Sequence, residues 1–199
     1  MQQNLKIKHL IGVKYDILKN GGIEVEELVE RAQKDDEQAF NELILKIQKE
    51  MYLIAKSKLK DEEDIADAIQ ETILSCYKNL KKLRDKKLFK TWLIRILINE
   101  CNKIHRQNKK IIYLENYNQT DLVYNDKYDD FGVRQAIKKL DEDLKTMVIL
   151  YYFEEFSVKE ISEIQKLPEG TVKSRLSRAR KKLESIFLDE NIEKEDLNG

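Results

Sequence analysis

With 199 residues, the chain can form one large domain or two small ones. Its 41% apolar and 37% charged side chains, with no run near the ~18 apolar residues a membrane helix needs, exclude a membrane-spanning helix. A net charge of zero argues at first sight against a nucleic-acid binder, but acids and bases are sorted along the chain rather than interleaved. Residues 24–71 carry 15 acids and 7 bases (−8), residues 78–110 carry 12 bases and 2 acids (+10), and residues 166–182 carry 7 bases and 1 acid (+6). Two basic blocks set apart in this way suit two contact zones on one polyanion.

Met1 to Gly22 ends in Asn20-Gly21-Gly22, a flexible break, and lacks the continuous apolar run and cleavage site of a signal peptide. It is treated as an N-terminal extension, and a cytoplasmic protein is expected. One Pro and six Gly in the whole chain leave few helix breakers. From Val25 to about Lys109 the apolar period is helical. Leu28, Ala32, Ala39, Phe40, Leu43, Ile44 and Ile47 recur at spacings of three, four and seven, and after a break near Lys60-Asp61 come Ile65, Ala68, Ile69, Ile73 and Tyr77. Asp61 to Asp64 place acids where a helix N-terminus favours them; four adjacent acids cannot all face one ion on a helix, so no metal is expected there. A basic loop, Lys81 to Lys87, precedes a helix from Phe89 to about Arg106 carrying Trp92, Leu93, Ile96, Leu97, Cys101 and Ile104. Together these predict a bundle of about four helices over residues 23–108. Cys76 and Cys101 form no CxxC, and with His9 and His105 they do not complete a zinc site, so both read as reduced packing residues.

Residues 109–132 lose the helical period and turn acidic, with Glu115, Asp121, Asp126, Asp129 and Asp130 against Lys127, and read as a linker. The period returns from Val133 through Ile137, Leu140, Leu144, Met147, Val148 and Tyr151, defining a second domain over 133–188 ahead of an acidic, polar tail, 189–199. Within it, Ser157 and Glu160 have the spacing of a capping box. Ile161 and Ile164 face inward, Ser162 is small where two helices cross, and Pro168 suits the first turn of a following helix. That next helix buries Val172, Leu176, Ala179 and Leu183 and turns Lys173, Ser174, Ser177, Arg178 and Lys181 outward. The chain has 29 Lys but 8 Arg, and three of the Arg fall between Arg175 and Arg180. Arg is the side chain whose planar fork grips phosphate or guanine, so a helix-turn-helix reading DNA in the major groove is expected.

Pro168, Gly170, Thr171, Val172, Ser174, Arg175, Arg178, Ala179 and Leu183 resemble the C-terminal pattern of bacterial RNA polymerase sigma factors of the extracytoplasmic-function (ECF) group of the sigma-70 family. The segment DAIQETIL, Asp67 to Leu74, looks like that family's polymerase-binding helix. FKTWLIRILINECNKIHR, Phe89 to Arg106, looks like its promoter-opening helix, with Phe89, Trp92, Leu93, Ile96 and Asn99 at matching positions. The resemblance spans about residues 25–188; Ser162 stands where the family usually has Ala. It implies an all-α chain with a region 2 type bundle and a region 4 type helix-turn-helix joined by a flexible linker. The expected partners are core RNA polymerase, promoter DNA and an anti-sigma protein, in many members membrane-anchored; no cofactor and no catalytic chemistry are expected.

By the same resemblance Asp64, Asp67, Gln70 and Glu71 would face polymerase. Arg84, Lys86, Lys87, Lys90, Trp92, Arg95, Asn99, Lys103 and Arg106 would bind and melt the −10 element, with residues 83–89 lining a pocket for an unstacked base. Read on its own, a lone Trp on an apolar stripe such as Trp92 is more often a core residue than a stacking platform. Thr171, Lys173, Ser174, Arg175, Ser177, Arg178 and Lys181 would contact the −35 element, and Tyr113, Tyr117 and Tyr124 would meet template strand or polymerase. Two other readings stay open on the residues themselves: a helix-turn-helix regulator acting without polymerase, and a helical adaptor with a solvated basic face.

Overall fold

A computed structural model describes residues 24–112 and 131–196, and every regular element among them is helical. The extension before residue 23, the three linker tyrosines and the last three residues lie outside the described residues. Two compact units result, one mainly from residues 24–112 and one mainly from residues 131–196.

The first unit contains α1 (Val25–Gln33), α2 (Glu37–Lys58), α3 (Glu62–Asn79) and α4 (Phe89–Ile112), with two single 3₁₀ turns, Leu80–Lys82 and Lys86–Leu88, between α3 and α4. Two of the starts have a local cause. Asp36 caps α2 by accepting from the Ala39 N–H at 3.0 Å, and Arg31 Nε donates to the same carboxylate at 2.9 Å. The Ala39 N–H and then the Arg31 guanidinium hold the Asp36 carboxyl below its ordinary pKa. Asp61 caps α3 in the same way, accepting from Glu63 and Asp64 N–H groups. The chain turns from α1 to α2 through Asp35 at φ 67°.

α3 packs most extensively on α4, α1 packs on α2, and α2 also meets α3 and α4. The core holds Leu28, Val29, Phe40, Leu43, Met51, Ile54, Ile65, Leu93, Leu97 and Cys101, as the period predicts for most of them. The α4 core stripe is completed by Ile94 and Ile98, both buried, while Ile96 and Ile104 are half-buried. Burial pushes the Cys76 and Cys101 thiols up to about 12, so both are protonated packing groups.

The second unit contains α5 (Phe131–Lys138), α6 (Glu142–Val148), a π turn (Ile149–Phe153), α7 (Val158–Gln165) and α8 (Glu169–Asp196). Three ends differ from the sequence reading: α4 runs on to Ile112 and α5 begins at Phe131, both within the expected linker, and α8 continues to Asp196 through much of the expected tail. Ala136, Ile137, Leu140, Leu144, Val148, Ala179 and Leu183 form one buried cluster, with Tyr152, Phe153, Ile186 and Phe187 against it. The π turn is closed by Glu154 N–H to the Ile149 carbonyl at 3.0 Å, and the chain leaves it through Glu155 at φ 57°.

Candidate nucleic-acid interfaces

A capping box starts α7, and two local devices, at Lys166 and Ser162, hold the turn between α7 and α8. Ser157 and Glu160 form both arms of the capping box: Glu160 N–H donates to Ser157 Oγ at 3.2 Å, and Glu160 Oε2 accepts from Ser157 N–H at 2.9 Å. Lys166 ends α7 at φ 54°. The Ser162 hydroxyl donates to the Leu167 carbonyl, so this small residue also ties down the turn. Pro168 stands one place before α8, its carbonyl accepting from the Val172 N–H at 3.1 Å.

Each residue advances ~100° around a helix. Val172, Leu176, Ala179 and Leu183 therefore share the buried stripe of α8, and Ser174, Ser177, Arg178 and Lys181 lie opposite. Among the described residues Arg178 and Lys181 have no carboxylate partner. Lys173 is exposed and 4.0 Å from Glu169, and Ser174 Oγ donates to the Thr171 carbonyl. Arg175 and Thr171 sit on the flank instead, half-buried. Arg175 pairs with Asp143 at 3.1 Å and Lys182 with Asp141 at 3.1 Å, both acids from the start of α6. Arg180 reaches the Tyr152 hydroxyl at 3.4 Å. Arg175, Arg180 and Lys182 are thus engaged by the domain itself, which charge counting along the sequence does not reveal.

In the first unit, Trp92, Arg95, Asn99, Lys103 and Arg106 recur at spacings of three and four on the face of α4 away from its core. Trp92 is half-buried on this stripe, beside Phe89 at 6.2 Å between ring centroids, and not in the core. Arg95 is exposed, Lys103 pairs with Glu100 at 2.7 Å, and Arg106 Nε donates to the Asn102 carbonyl at 3.0 Å. Lys90 is turned half a revolution from the stripe and half-buried. The loop before α4 is two closed turns, Leu83 N–H to Leu80 carbonyl and Leu88 N–H to Asp85 carbonyl, with an extended elbow at Leu83. Arg84 and Lys87 are exposed on it. Lys86 and Lys81 instead pair with Glu30 and Asp35, at 2.7 and 2.6 Å.

On α3, Glu63, Asp67, Gln70, Leu74 and Tyr77 form one exposed stripe with Glu71 beside it. Leu74 is 49% and Tyr77 58% exposed, so Tyr77 leaves the core stripe its spacing predicted and touches Phe40 edge-on at 5.2 Å. Asp64 is not on this stripe: its carboxylate accepts from Asn108 Nδ2 at 2.6 Å and tethers α4 to α3. No group of three or more His, Cys, Asp or Glu among the described residues could hold a metal ion. No helix among them is long and apolar enough to cross a membrane.

The described residues thus form two helical units, one with a basic helix after a tight turn and the other with a basic, aromatic helix face. The family models "Sigma-70 region 2" and "Sigma-70, region 4" match residues 43–111 and 131–183. The ECF RNA polymerase sigma-E factor of Haemophilus influenzae is 33% identical over 175 residues, covering 79% of this chain and 92% of that protein. Its counterpart in Escherichia coli K12 is 31% identical, covering 79% and 91%. The chain belongs to the ECF sigma factors of the sigma-70 family, and it is an alternative sigma factor. Two solved structures share the fold. The sigma factor RpoE in complex with the anti-sigma factor NepR, from Bartonella quintana, has TM-score 0.66 and 22% identity over 74% of this chain and 96% of that one. CnrH in complex with the cytosolic domain of CnrY has TM-score 0.60 and 23% identity over 83% and 97%. Family membership favours neither the stand-alone regulator nor the adaptor.

Proposed function

We propose that this cytoplasmic protein binds core RNA polymerase through the α3 stripe, opens the −10 element with the loop before α4 and the outer face of α4, and reads the −35 element with α8. The observation that carries the reading is the pairing of two basic faces, one on each unit, with an acidic and apolar helix face. Asp67, Gln70, Glu71, Leu74 and Tyr77 offer carboxylates for a basic partner and an apolar centre to bury. Arg84, Lys87, Arg95 and Arg106 supply backbone contacts, Trp92 a ring to stack, and Asn99 hydrogen bonds to a displaced base. Ser174, Ser177, Arg178 and Lys181 lie where a recognition helix meets base edges and adjacent phosphates. Lys86 serves this reading only if it leaves Glu30, and Lys90 and Asp64 are its weakest members. Nucleotide addition is polymerase's chemistry. The RpoE of Bartonella quintana is in complex with an anti-sigma factor, and an anti-sigma protein is proposed as a partner of this chain too.

The test is run-off transcription with core RNA polymerase on a promoter pool from the same genome. Selective transcripts that require this chain support the reading, and their alignment defines both elements. Arg178→Ala should then weaken −35 binding by about 1–3 kcal/mol and relax base preference there. Equal loss on random duplex would reduce Arg178 to a phosphate contact.

A further inference from the structure

The loop before α4 is shaped from outside. Gln33, the last residue of α1, donates its side-chain amide to two carbonyls of that loop, Leu80 at 2.9 Å and Leu83 at 2.8 Å. Both N–H donors of one amide are consumed, and both acceptors belong to the turn that opens the loop. The Leu80 carbonyl also accepts the Leu83 N–H at 3.0 Å, and Leu83 is the elbow residue, φ −72° and ψ 108°. Beyond it, Asp85 closes the second turn by accepting from the Lys87 N–H at 3.1 Å. The backbone of the second turn is bonded within its own residues, whereas both carbonyls of the first are also held by a side chain about fifty positions earlier. Glu30 and Asp35, on either side of Gln33, hold Lys86 and Lys81.

We infer that Gln33 is a positioning residue for promoter opening: it fixes the Leu80–Leu83 turn and so the elbow from which residues 83–89 address an unstacked base. This rests on the proposed role of that loop. Gln33 itself touches no base. It acts by preorganisation, because a loop already in its binding shape loses less conformational freedom when the strand docks. A loop released at the elbow would still carry its cations, so strand attraction would survive while base discrimination would not.

The experiment uses the full chain with core RNA polymerase and a promoter library randomised across the −10 window, with transcripts sequenced. Gln33→Glu keeps the size but replaces the donor with a carboxylate, and Gln33→Met keeps the length with no polar group. The native protein defines the preference at each position. The expected result for both variants is a drop of about ten-fold in discrimination at the most selective −10 position. Polymerase affinity and −35 preference should not change. A uniform fall in transcript with base preferences intact would overturn the inference, making Gln33 a support of the fold only. So would a profile identical to the native one. If the native protein itself shows no preference in the window, the reading of the loop fails, and the inference with it. Should Gln33→Glu not fold, Gln33→Met decides alone.

Discussion

Ser162 shows how much one hydroxyl decides. The family's usual Ala at this place would satisfy the close crossing of α7 and α8, yet the serine also holds the Leu167 carbonyl, one residue beyond the left-handed Lys166. Removing it leaves a turn carbonyl without its partner. Ser162→Ala should therefore destabilise the chain by about 1 kcal/mol, seen as a lower urea midpoint with an unchanged slope. An unaltered midpoint would mean that water replaces the hydroxyl at no cost. Tyr77 and Ile94 carry the opposite lesson. Helical spacing puts either side of an apolar stripe within reach of the core, and only the neighbouring helix decides that Ile94 is buried and Tyr77 exposed.

Two helices make predictions of their own. On α3, Leu74 sits among Asp67, Gln70 and Tyr77 with half its surface open, so its loss does not disturb the core. Leu74→Asp should leave the circular dichroism native while lowering polymerase affinity by more than about five-fold, as truncation of a central apolar anchor does. Unchanged affinity would move the docking face elsewhere. On α8, the acids of α6 engage Arg175 and Lys182, leaving Lys173, Arg178 and Lys181 as the outward cations. Duplex binding by this helix should then show a salt slope of about 3 in the logarithmic plot, and Asp143→Asn should steepen it by about 1 by freeing Arg175. A native slope twice as steep would show that the flank cations already reach DNA.

Over the whole molecule the acidic stretch 24–71 and the basic stretch 78–110 are joined by ion pairs, Glu30 to Lys86 and Asp35 to Lys81. The hydrogen bond from Lys86, then that from Lys34, lowers the Glu30 carboxyl from 4.5 to about 2. A carboxyl whose folded pKa is depressed stabilises the fold above its unfolded value and loses that contribution as pH falls through the folded one. Glu30→Gln should therefore melt below the native protein at neutral pH, and the two curves should converge as pH drops from 4.5 toward about 2. The pair is exposed, so added salt should narrow the gap as well. A gap that persists at the acid end would place the effect of the substitution outside the ion pair.

The helices, the acidic start of α3 at Asp61 and the Ser157–Glu160 box were legible in the chain, because periodicity and such short-range signals act over a few residues and need no distant partner, whereas the Asp36 cap emerged only from the structure. The family was legible for the same reason, its motifs being runs of neighbouring residues. What tertiary structure alone decided is which charges are already spent and which loop shape is held. Arg175 meets Asp143, Lys86 meets Glu30, Asp64 meets Asn108 and Gln33 meets the Leu80 and Leu83 carbonyls across separations of 32 to 56 residues. A pairing between separate helices depends on how those helices pack, and local sequence carries no record of that.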